Sequence, residues 1–449
     1  MDNFEKFYYE IKDLILKDFT NKLDHQYHYG CMYLSASLLG KSPMIWRERI
    51  IEQIDTAYEL GTLDFIEESI VLSMQYSDKQ DRELLQFIRD KRKNCKPREY
   101  HALDYEYLEK FNANKTQELL NAVKCCKESG LLYDTFDGVQ GSKDLVYHCR
   151  NLEILIKSNL ILDEKGLEII SKAVSLIMKL FEVGTTALFF GRSQNSSYGL
   201  GSLYFILKSV CFENKEHQDK LELYRKRLES KIQSSYIENC GFRMNFSSGR
   251  SGADSYMYRN VYSSFLLSRL LLSSKIKQNS ITLTLRDVSF NKYFQVKKVL
   301  NLKFVINNNE GNFSPIFPND IRYGSNALVS YLKNGFEYSP IPFFTFPYSP
   351  LDKLFTRKTR LIANSMIYRL LSMFYKLNVF SSVSLEDIRE AKKVMVTDEG
   401  AYLVSYRRIN LGIVPSNLLD VIKSEYLNIV GFKLPTSTGM EKFRVIIYW

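Results

Sequence analysis

EKGLEIISKAVSLIMKLFE, residues 164–182, decides how the chain is read. Leu167, Ile170, Ala173, Leu176, Ile177 and Leu180 recur at the three- and four-residue spacing that lays them along one stripe of an α-helix. The same rhythm continues in both directions. It predicts helices over 4–19, 26–39, 44–60, 63–76, 80–93, 115–128, 142–158, 198–210, 215–233 and 255–272. The connectors carry turn chemistry: Gly40-Lys41-Ser42-Pro43, Gly61, Asp78, Asn112-Ala113-Asn114, Gly130 and Asn214. Short links between many helices favour antiparallel neighbours, hence helical hairpins.

After Lys277 the texture changes. Ile281–Leu285, Tyr293–Lys297, Leu302–Ile306, Val394–Thr397, Ala401–Tyr406, Asn428–Leu434 and Phe443–Tyr448 are short, β-branched and aromatic runs, predicted as antiparallel strands. Helical stretches are expected between them at 360–375, 384–393 and 417–424. Eight of the ten prolines lie at or beyond residue 314. Segment 335–354, GFEYSPIPFFTFPYSPLDKL, is expected as an ordered loop or extended arm rather than a regular element. The expected organisation is α+β and multidomain. A helical-hairpin (α/α) domain over 1–275 precedes a smaller antiparallel β-rich domain over 276–449.

Composition narrows the function classes. The 449 residues are 45% hydrophobic, enough for a large core. There are 30 Tyr and 29 Phe. Tyr suits wet clefts that hold polar ligands, although biased composition also accounts for its abundance beside Lys, Asn and Ile. A net charge of +10 favours an anionic partner without choosing among nucleic acid, acidic glycan and membrane surface. Seven irregularly spaced Cys, with no CxxC pair, are expected as reduced and mostly buried thiols of a cytoplasmic protein. The N-terminus lacks the basic and apolar regions of a signal peptide, and no transmembrane segment is expected. GxxxxGK[ST], a GxGxxG after a strand, GxSxG and HExxH do not occur, so no nucleotide, cofactor or metal is expected.

Four clusters remain. The first is the polar loop Gly191-Arg192-Ser193-Gln194-Asn195-Ser196-Ser197-Tyr198-Gly199 between two apolar helices. It offers a guanidinium, two amides, hydroxyls and a phenol, the groups that read sugar hydroxyls and a sugar carboxylate. It also serves as a plain helix–helix turn with Ser196 or Ser197 as cap. The second is a Gly/Ser loop carrying Arg250, Asp254 and Tyr256 into a helix with Tyr258 and Tyr262 on one face. There a Tyr beside Arg serves as acid or base once its pKa falls, while Asp254 or Ser255 is equally a helix cap. The third is Tyr133-Asp134-Thr135-Phe136-Asp137-Gly138 with Tyr147 and His148, where Asp137 is either a turn residue or a catalytic acid. The fourth is His25-Gln26-Tyr27-His28-Tyr29. Its two histidines share one helix side but lack a third ligand for a metal.

The helical hairpins followed by a β-rich region, with Gly191-Arg192-Ser193 between late helices and Asp254-Ser255-Tyr256 near the last one, resemble the helical-toroid polysaccharide lyases. These are the heparinase-II/III-like and alginate-lyase-like proteins. The resemblance covers about residues 120–272. It implies a toroid whose central cleft binds an acidic polysaccharide, followed by a β-sandwich. It further implies Arg192, Gln194 or Asn195 against the uronate carboxylate, and Tyr198 or Tyr256 as acid or base with His28 as partner. Three readings follow: a lyase, or a hydrolase using Asp137 or Asp254; a non-catalytic glycan-binding or scaffold protein of surface-polysaccharide biosynthesis; and a nucleic-acid-associated protein.

Overall fold

A computed structural model describes residues 3–18, 27–59, 61–94, 128–133, 145–157, 164–182, 187–188, 197–237, 241–242, 259–276 and 281–290. It also describes 294–299, 302–307, 328–333, 336–338, 393–397, 400–407, 429–434 and 441–447 as strands. The chain falls into two compact units, one formed by the described elements up to Phe290 and one by those after Asn291.

The first unit is mainly helical. Its helices are α1 (Asn3–Asp18), α2 (Tyr27–Leu38), α3 (Met44–Glu52), α4 (Ile54–Glu59), α5 (Leu63–Tyr76) and α6 (Arg82–Arg92). They continue with α7 (Leu145–Lys157), α8 (Glu164–Phe181), α9 (Ser197–Ser209), α10 (Lys215–Ser235) and α11 (Arg259–Lys275). The predicted helix 44–60 is two helices, because Gln53 leaves helical geometry at φ −108°, ψ 11°. The predicted helix 115–128 lies outside the described residues except for Glu128.

Two layers of helices account for the burial. α5, α2, α11, α9 and α7 are successive neighbours, and α6, α1, α10 and α8 flank them. Every residue of α7 is buried, as is every residue of α9 except Lys208. A helix apolar nearly all round belongs between other helices. α10 instead buries one face, and α8 buries one face that broadens to its full circumference over Ala173–Met178. In α8 that face includes Ile170, Ala173, Leu176, Ile177 and Leu180 of the predicted stripe, with Val174 and Met178 widening it and Leu167 at its margin.

Local chemistry fixes the ends. Asp81 caps α6, its carboxylate accepting from the Leu84 N–H at 3.1 Å. The same carboxylate accepts from Arg47 Nε at 2.9 Å and from the Tyr33 hydroxyl at 3.3 Å, joining α2, α3 and α6. Asn214 caps α10 through the His217 N–H.

A short parallel pair completes the first unit. β1 (Val210–Phe212) continues from α9 and pairs with β4 (Ile281–Leu283). Ile281–Leu283 was expected among the strands of the 276–449 region, and here it seals the helical unit, with Ile281, Leu283, Val288 and Phe290 buried. β2 (Tyr236–Ile237) and β3 (Gly241–Phe242) form a small antiparallel pair.

The described backbone of the second unit consists of strands. β5 (Phe294–Val299), β6 (Leu302–Asn307), β7 (Leu328–Lys333) and β8 (Phe336–Tyr338) pair antiparallel in that order. β9 (Lys393–Thr397), β10 (Gly400–Arg407), β11 (Ile429–Leu434) and β12 (Glu441–Ile447) pair antiparallel in the order β11-β12-β10-β9. One expectation needs correction. Segment 335–354 opens with a strand, Phe336–Tyr338, paired to Leu328–Lys333. The two runs are separated by Asn334-Gly335, the strongest two-residue hairpin signal, which the proline-rich remainder of the segment obscured. The expected helices at 360–375, 384–393 and 417–424 lie outside the described residues, apart from Lys393, which begins β9.

Gly130 tests the packing most simply. It has φ +72°, and a Cβ there would lie 2.4 Å from the Lys172 carbonyl oxygen. Gly40 has nearly the same φ, +71°, with open space around it. Gly40→Ala is expected to cost about 1 kcal/mol, and Gly130→Ala about 3 kcal/mol or more, measured by urea unfolding. Equal losses would show that the Gly130–Lys172 approach is not tight.

Candidate functional site

Three of the ten residues singled out from sequence lie among the described side chains. Tyr198 is buried in the first turn of α9. Its ring is 5.6 Å from Tyr262, edge to face, and 4.3 Å from Phe265, both on α11. Tyr262 is half-buried. His28 is fully buried on α2, with its ring 4.2 Å from that of Tyr29. Tyr198 and Tyr262 are therefore brought together. Asp137, Arg192, Gln194, Asn195, Arg250, Asp254 and Tyr256 lie outside the described residues.

The helices that follow these residues share a direction. Between α9 and α11, Tyr198 meets Tyr262 and Phe265, and one turn on Gly201 meets Leu266 and Arg269. Between α7 and α9, Val146 lies against Gly199 and Glu153 bonds Ser202. Contacts that advance together along both chains mean that α7, α9 and α11 run side by side in one direction. Their N-termini, with the partial positive charge of the helix dipoles, gather at one end of the helical unit. Asp137 precedes α7 by a few residues, Arg192 precedes α9 and Asp254 precedes α11.

Deeper between the helices lies a cluster that sequence reading did not pick out. Glu68 of α5 accepts from Arg150 Nη2 at 2.6 Å, from Arg269 Nη2 at 2.9 Å and from Lys157 Nζ. Glu153 of α7 accepts from Arg269 Nε at 2.7 Å, from Lys157 Nζ at 2.7 Å and from the Ser202 hydroxyl of α9, and pairs with Arg150 Nη1 at 3.0 Å. None of these charged side chains is more than 3% exposed. The Arg269 and Arg150 guanidiniums lie 4.2 and 5.5 Å from the Phe265 ring centroid, so the cluster also meets the aromatic group that holds Tyr198. Cys31 of α2 faces it beside Ser268 and Arg269, and burial raises its thiol pKa.

The electrostatics follow from desolvation against charge. Burial alone pushes the Glu68 and Glu153 carboxyls up, but Arg150, Lys157 and Arg269 hold both below their ordinary range. Burial lowers Lys157, and the two carboxylates offset only part of that. In a second knot Glu67 binds Arg89 at 2.9 Å and Arg92, both on α6. α5 is thus tied by two adjacent acids to different helices.

His148, flagged from sequence beside Tyr147, is a structural clamp. Its Nδ1 accepts from the Leu132 N–H at 3.0 Å, which leaves Nε2–H to donate to the Ala173 carbonyl at 3.3 Å. Burial pushes its pKa down to about 4. Among the described residues no group of three or more His, Cys, Asp or Glu could hold a metal ion. No described helix is long and apolar enough to cross a membrane. Cys31, Cys149 and Cys211 form no disulfide, and the first two are buried.

The cluster left a signal in the sequence. Arg150, Glu153 and Lys157 stand at i, i+3 and i+7 within LVYHCRNLEILIK and so share one stripe of a largely apolar helix, and Arg269 interrupts FLLSRLLL. A charge in such a helix is buried unless the helix is exposed, and a buried charge requires a partner.

Two expectations follow. Glu68→Ala leaves three buried cations to the single carboxylate of Glu153 and is expected to cost about 3–5 kcal/mol in urea unfolding, against under 1 kcal/mol for the exposed Glu52→Ala. His148 is held neutral in the fold, with its pKa lowered from 6.5 to about 4. Its contribution is complete above 6.5 and is lost as pH falls from 6.5 toward 4, about 3 kcal/mol in all. His148→Gln should remove that slope, and a slope that survives the substitution assigns it elsewhere.

No protein-family model matches this chain, and neither do any curated protein or solved structure.

Proposed function

We propose that the chain is a carbohydrate-active protein that acts on an acidic polysaccharide by β-elimination. In this reading the helical unit is a ring of helical hairpins, an α/α toroid, and the residues after Phe290 form a β-rich domain, as in the heparinase-II/III-like and alginate-lyase-like proteins. One observation supports it above the others. The three segments that carry Asp137, Arg192 and Asp254 lead into α7, α9 and α11, which lie side by side and run in the same direction. Three helix starts far apart in sequence thus stand at one end of the helical unit, where gathered helix N-termini favour an anionic ligand.

The chemistry would run as follows. Arg192, with Gln194 or Asn195, neutralises the uronate carboxylate and so acidifies the C5 proton. Tyr198 or Tyr256, with His28 as partner, removes that proton. The C5–H electron pair becomes the C4=C5 double bond, the C4–O bond breaks, and the departing oxygen takes a proton from the acid. Asp254, Arg250 and Tyr262 line the bound chain. The burial of Tyr198, 4% exposed, and of His28, 0% exposed, favours a second reading, a non-catalytic glycan-binding or scaffold protein.

Incubation with a panel of acidic polysaccharides, followed by the ultraviolet absorbance of the unsaturated uronate, separates these readings. A lyase yields absorbing product, and Arg192→Ala together with either Tyr198→Phe or Tyr256→Phe slows it about a hundredfold or more while the unfolding midpoint holds. New reducing ends without absorbance point to a hydrolase using Asp137 or Asp254. Binding without product supports the second reading. A chain that neither binds nor cleaves any member of the panel sinks both.

A further inference from the structure

Five of the six large hydrophobic side chains that stand exposed among the described residues gather on one surface of the helical unit. Met44, Ile45 and Ile51 lie on α3, Tyr58 on α4 and Phe87 on α6, each between 36% and 51% exposed, while the sixth, Leu223, lies on α10. On α3, Met44, Glu48 and Ile51 follow i, i+4 and i+7, and Ile45, Glu48 and Glu52 follow i, i+3 and i+7. All five therefore share the face opposite the buried Trp46 and Ile50. On α4, Ile54 and Ala57 are buried, which leaves Asp55, Tyr58 and Glu59 outside. On α6, Glu83, Phe87 and Lys91 share a stripe that is tied to α3 and α4 at both ends. Arg47 reaches Glu83 at 3.6 Å, and Asp55 binds Lys91 at 2.7 Å. Phe87 stands midway between these two contacts, level with Ile51. The Tyr58 hydroxyl donates to the Asn94 carbonyl at 3.4 Å, just beyond the end of α6. The exposed apolar groups thus run along the seam between α3–α4 and α6. The charges around the seam are unbalanced. Arg49 pairs with Glu52 and Lys91 with Asp55, whereas the exposed Glu48 and Glu59 have no cation partner among the described residues. Arg82 and Lys93 fall off the Glu83–Phe87–Lys91 stripe by helical spacing. In a chain of net charge +10 the seam therefore carries two surplus carboxylates.

We propose that the seam formed by Met44, Ile45, Ile51, Tyr58 and Phe87 is a docking surface, and that its occupant is a basic amphipathic helix of a protein partner. The row from Met44 to Tyr58 spans roughly 20 Å at the helical rise, about four turns of a docked helix. Apolar side chains at i, i+3, i+4 and i+7 of that helix would lie between α3 and α6, as a third helix packs against two. Its flanking Lys or Arg side chains would meet Glu48 and Glu59, the two carboxylates that nothing in the chain neutralises. The same carboxylates turn away polyanions and anionic membranes alike. This surface therefore serves something other than the acidic polysaccharide proposed above. Two copies of the chain meeting face to face here would set their surplus acids against each other.

The test uses the full chain and two fluorescent synthetic peptides of about 18 residues. Both repeat leucine at i, i+3, i+4 and i+7, and one carries lysine and the other glutamate at the remaining positions. Binding is read by anisotropy at several salt concentrations, with unfolding of every variant followed in parallel. The lysine peptide is expected to bind at least tenfold more tightly than the glutamate peptide. The double substitution I51S/F87S is expected to weaken it about tenfold or more, and L223S to leave it unchanged. E48Q/E59Q is expected to weaken it and to flatten its salt dependence. Should I51S/F87S prove poorly folded, E48Q/E59Q carries the test alone, because both side chains are exposed and without ion pairs to lose. A lysine peptide that does not bind, that binds no better than the glutamate peptide, or that binds folded variants as tightly as wild type overturns the proposal. So does self-association in sedimentation that I51S/F87S abolishes while the peptide stays unbound, which assigns the seam to a second copy of the chain. Co-sedimentation with phosphatidylserine vesicles that I51S/F87S abolishes overturns it as well and assigns the seam to a membrane surface.

Discussion

Two carboxylates deep between helices organise the first unit. Glu68 reaches from α5 to cations on α7 and α11, and Glu153 joins those cations to Ser202 of α9. Charges this far from water are tolerated only when paired and hydrogen-bonded. The condition is geometric, because it is met only when four helices from distant parts of the sequence stand at one depth and one register. An apolar core of equal volume would tolerate many sliding arrangements of the same helices. The ion cluster tolerates few, and it lies against Phe265, which holds Tyr198 beside Tyr262. The interaction that sets the helix register thus also sets the position of the aromatic pair at the head of α9 and α11.

The small residues of the inner helices serve the same end. Gly199 and Gly201 bring the α9 backbone against Val146 of α7 and Leu266 of α11. Ser202 then stands close enough to bond Glu153. The serines of α11 turn inward on the backbone: Ser264 and Ser268 donate to carbonyls of their own helix, and the Ser268 oxygen also accepts from Arg269 Nη1 at 3.2 Å. α7 carries three charges and still packs as a core helix because each charge meets a counter-charge inside the unit. Buried counter-charges thus let a helix that carries charge pack between other helices in a two-layer helical body.

Much of this fold was legible in the chain. The helix periodicity around 164–182, the turn at Asn214 and the strand runs after residue 290 follow from local chemistry, and they reappear within a few residues of their expected ends, whereas the cap of α6 is Asp81 rather than the Asp78 of the expected turn. What escaped was non-local. The pairing of Val210–Phe212 with Ile281–Leu283 depends on two short runs meeting across about seventy residues, and three-residue strands leave no periodicity to read. The hairpin at 328–338 was hidden by the prolines that follow it. Of the candidate site, the polar stretches were visible because polar residues between apolar helices stand out. The ion cluster was only half visible: Arg150, Glu153 and Lys157 share a stripe of α7 that also reads as a solvated face, and their partners Glu68, Ser202 and Arg269 lie on three other helices. His148 shows the converse case. Its place beside Tyr147 suggested chemistry, yet its two ring nitrogens are occupied by backbone groups.

The central claim is that the buried charges act as one unit rather than as separate ion pairs. A double-mutant cycle on Glu68 and Arg269, read by urea unfolding at neutral pH, addresses it most directly. If the cluster is one unit, Glu68→Ala and Arg269→Met together cost far less than the sum of the single losses, with a coupling of about 2 kcal/mol or more, because each single change strands what the other would have removed. Losses that simply add would mean that the two side chains stabilise the helical unit independently, and the cluster would then not be what holds its helices in register.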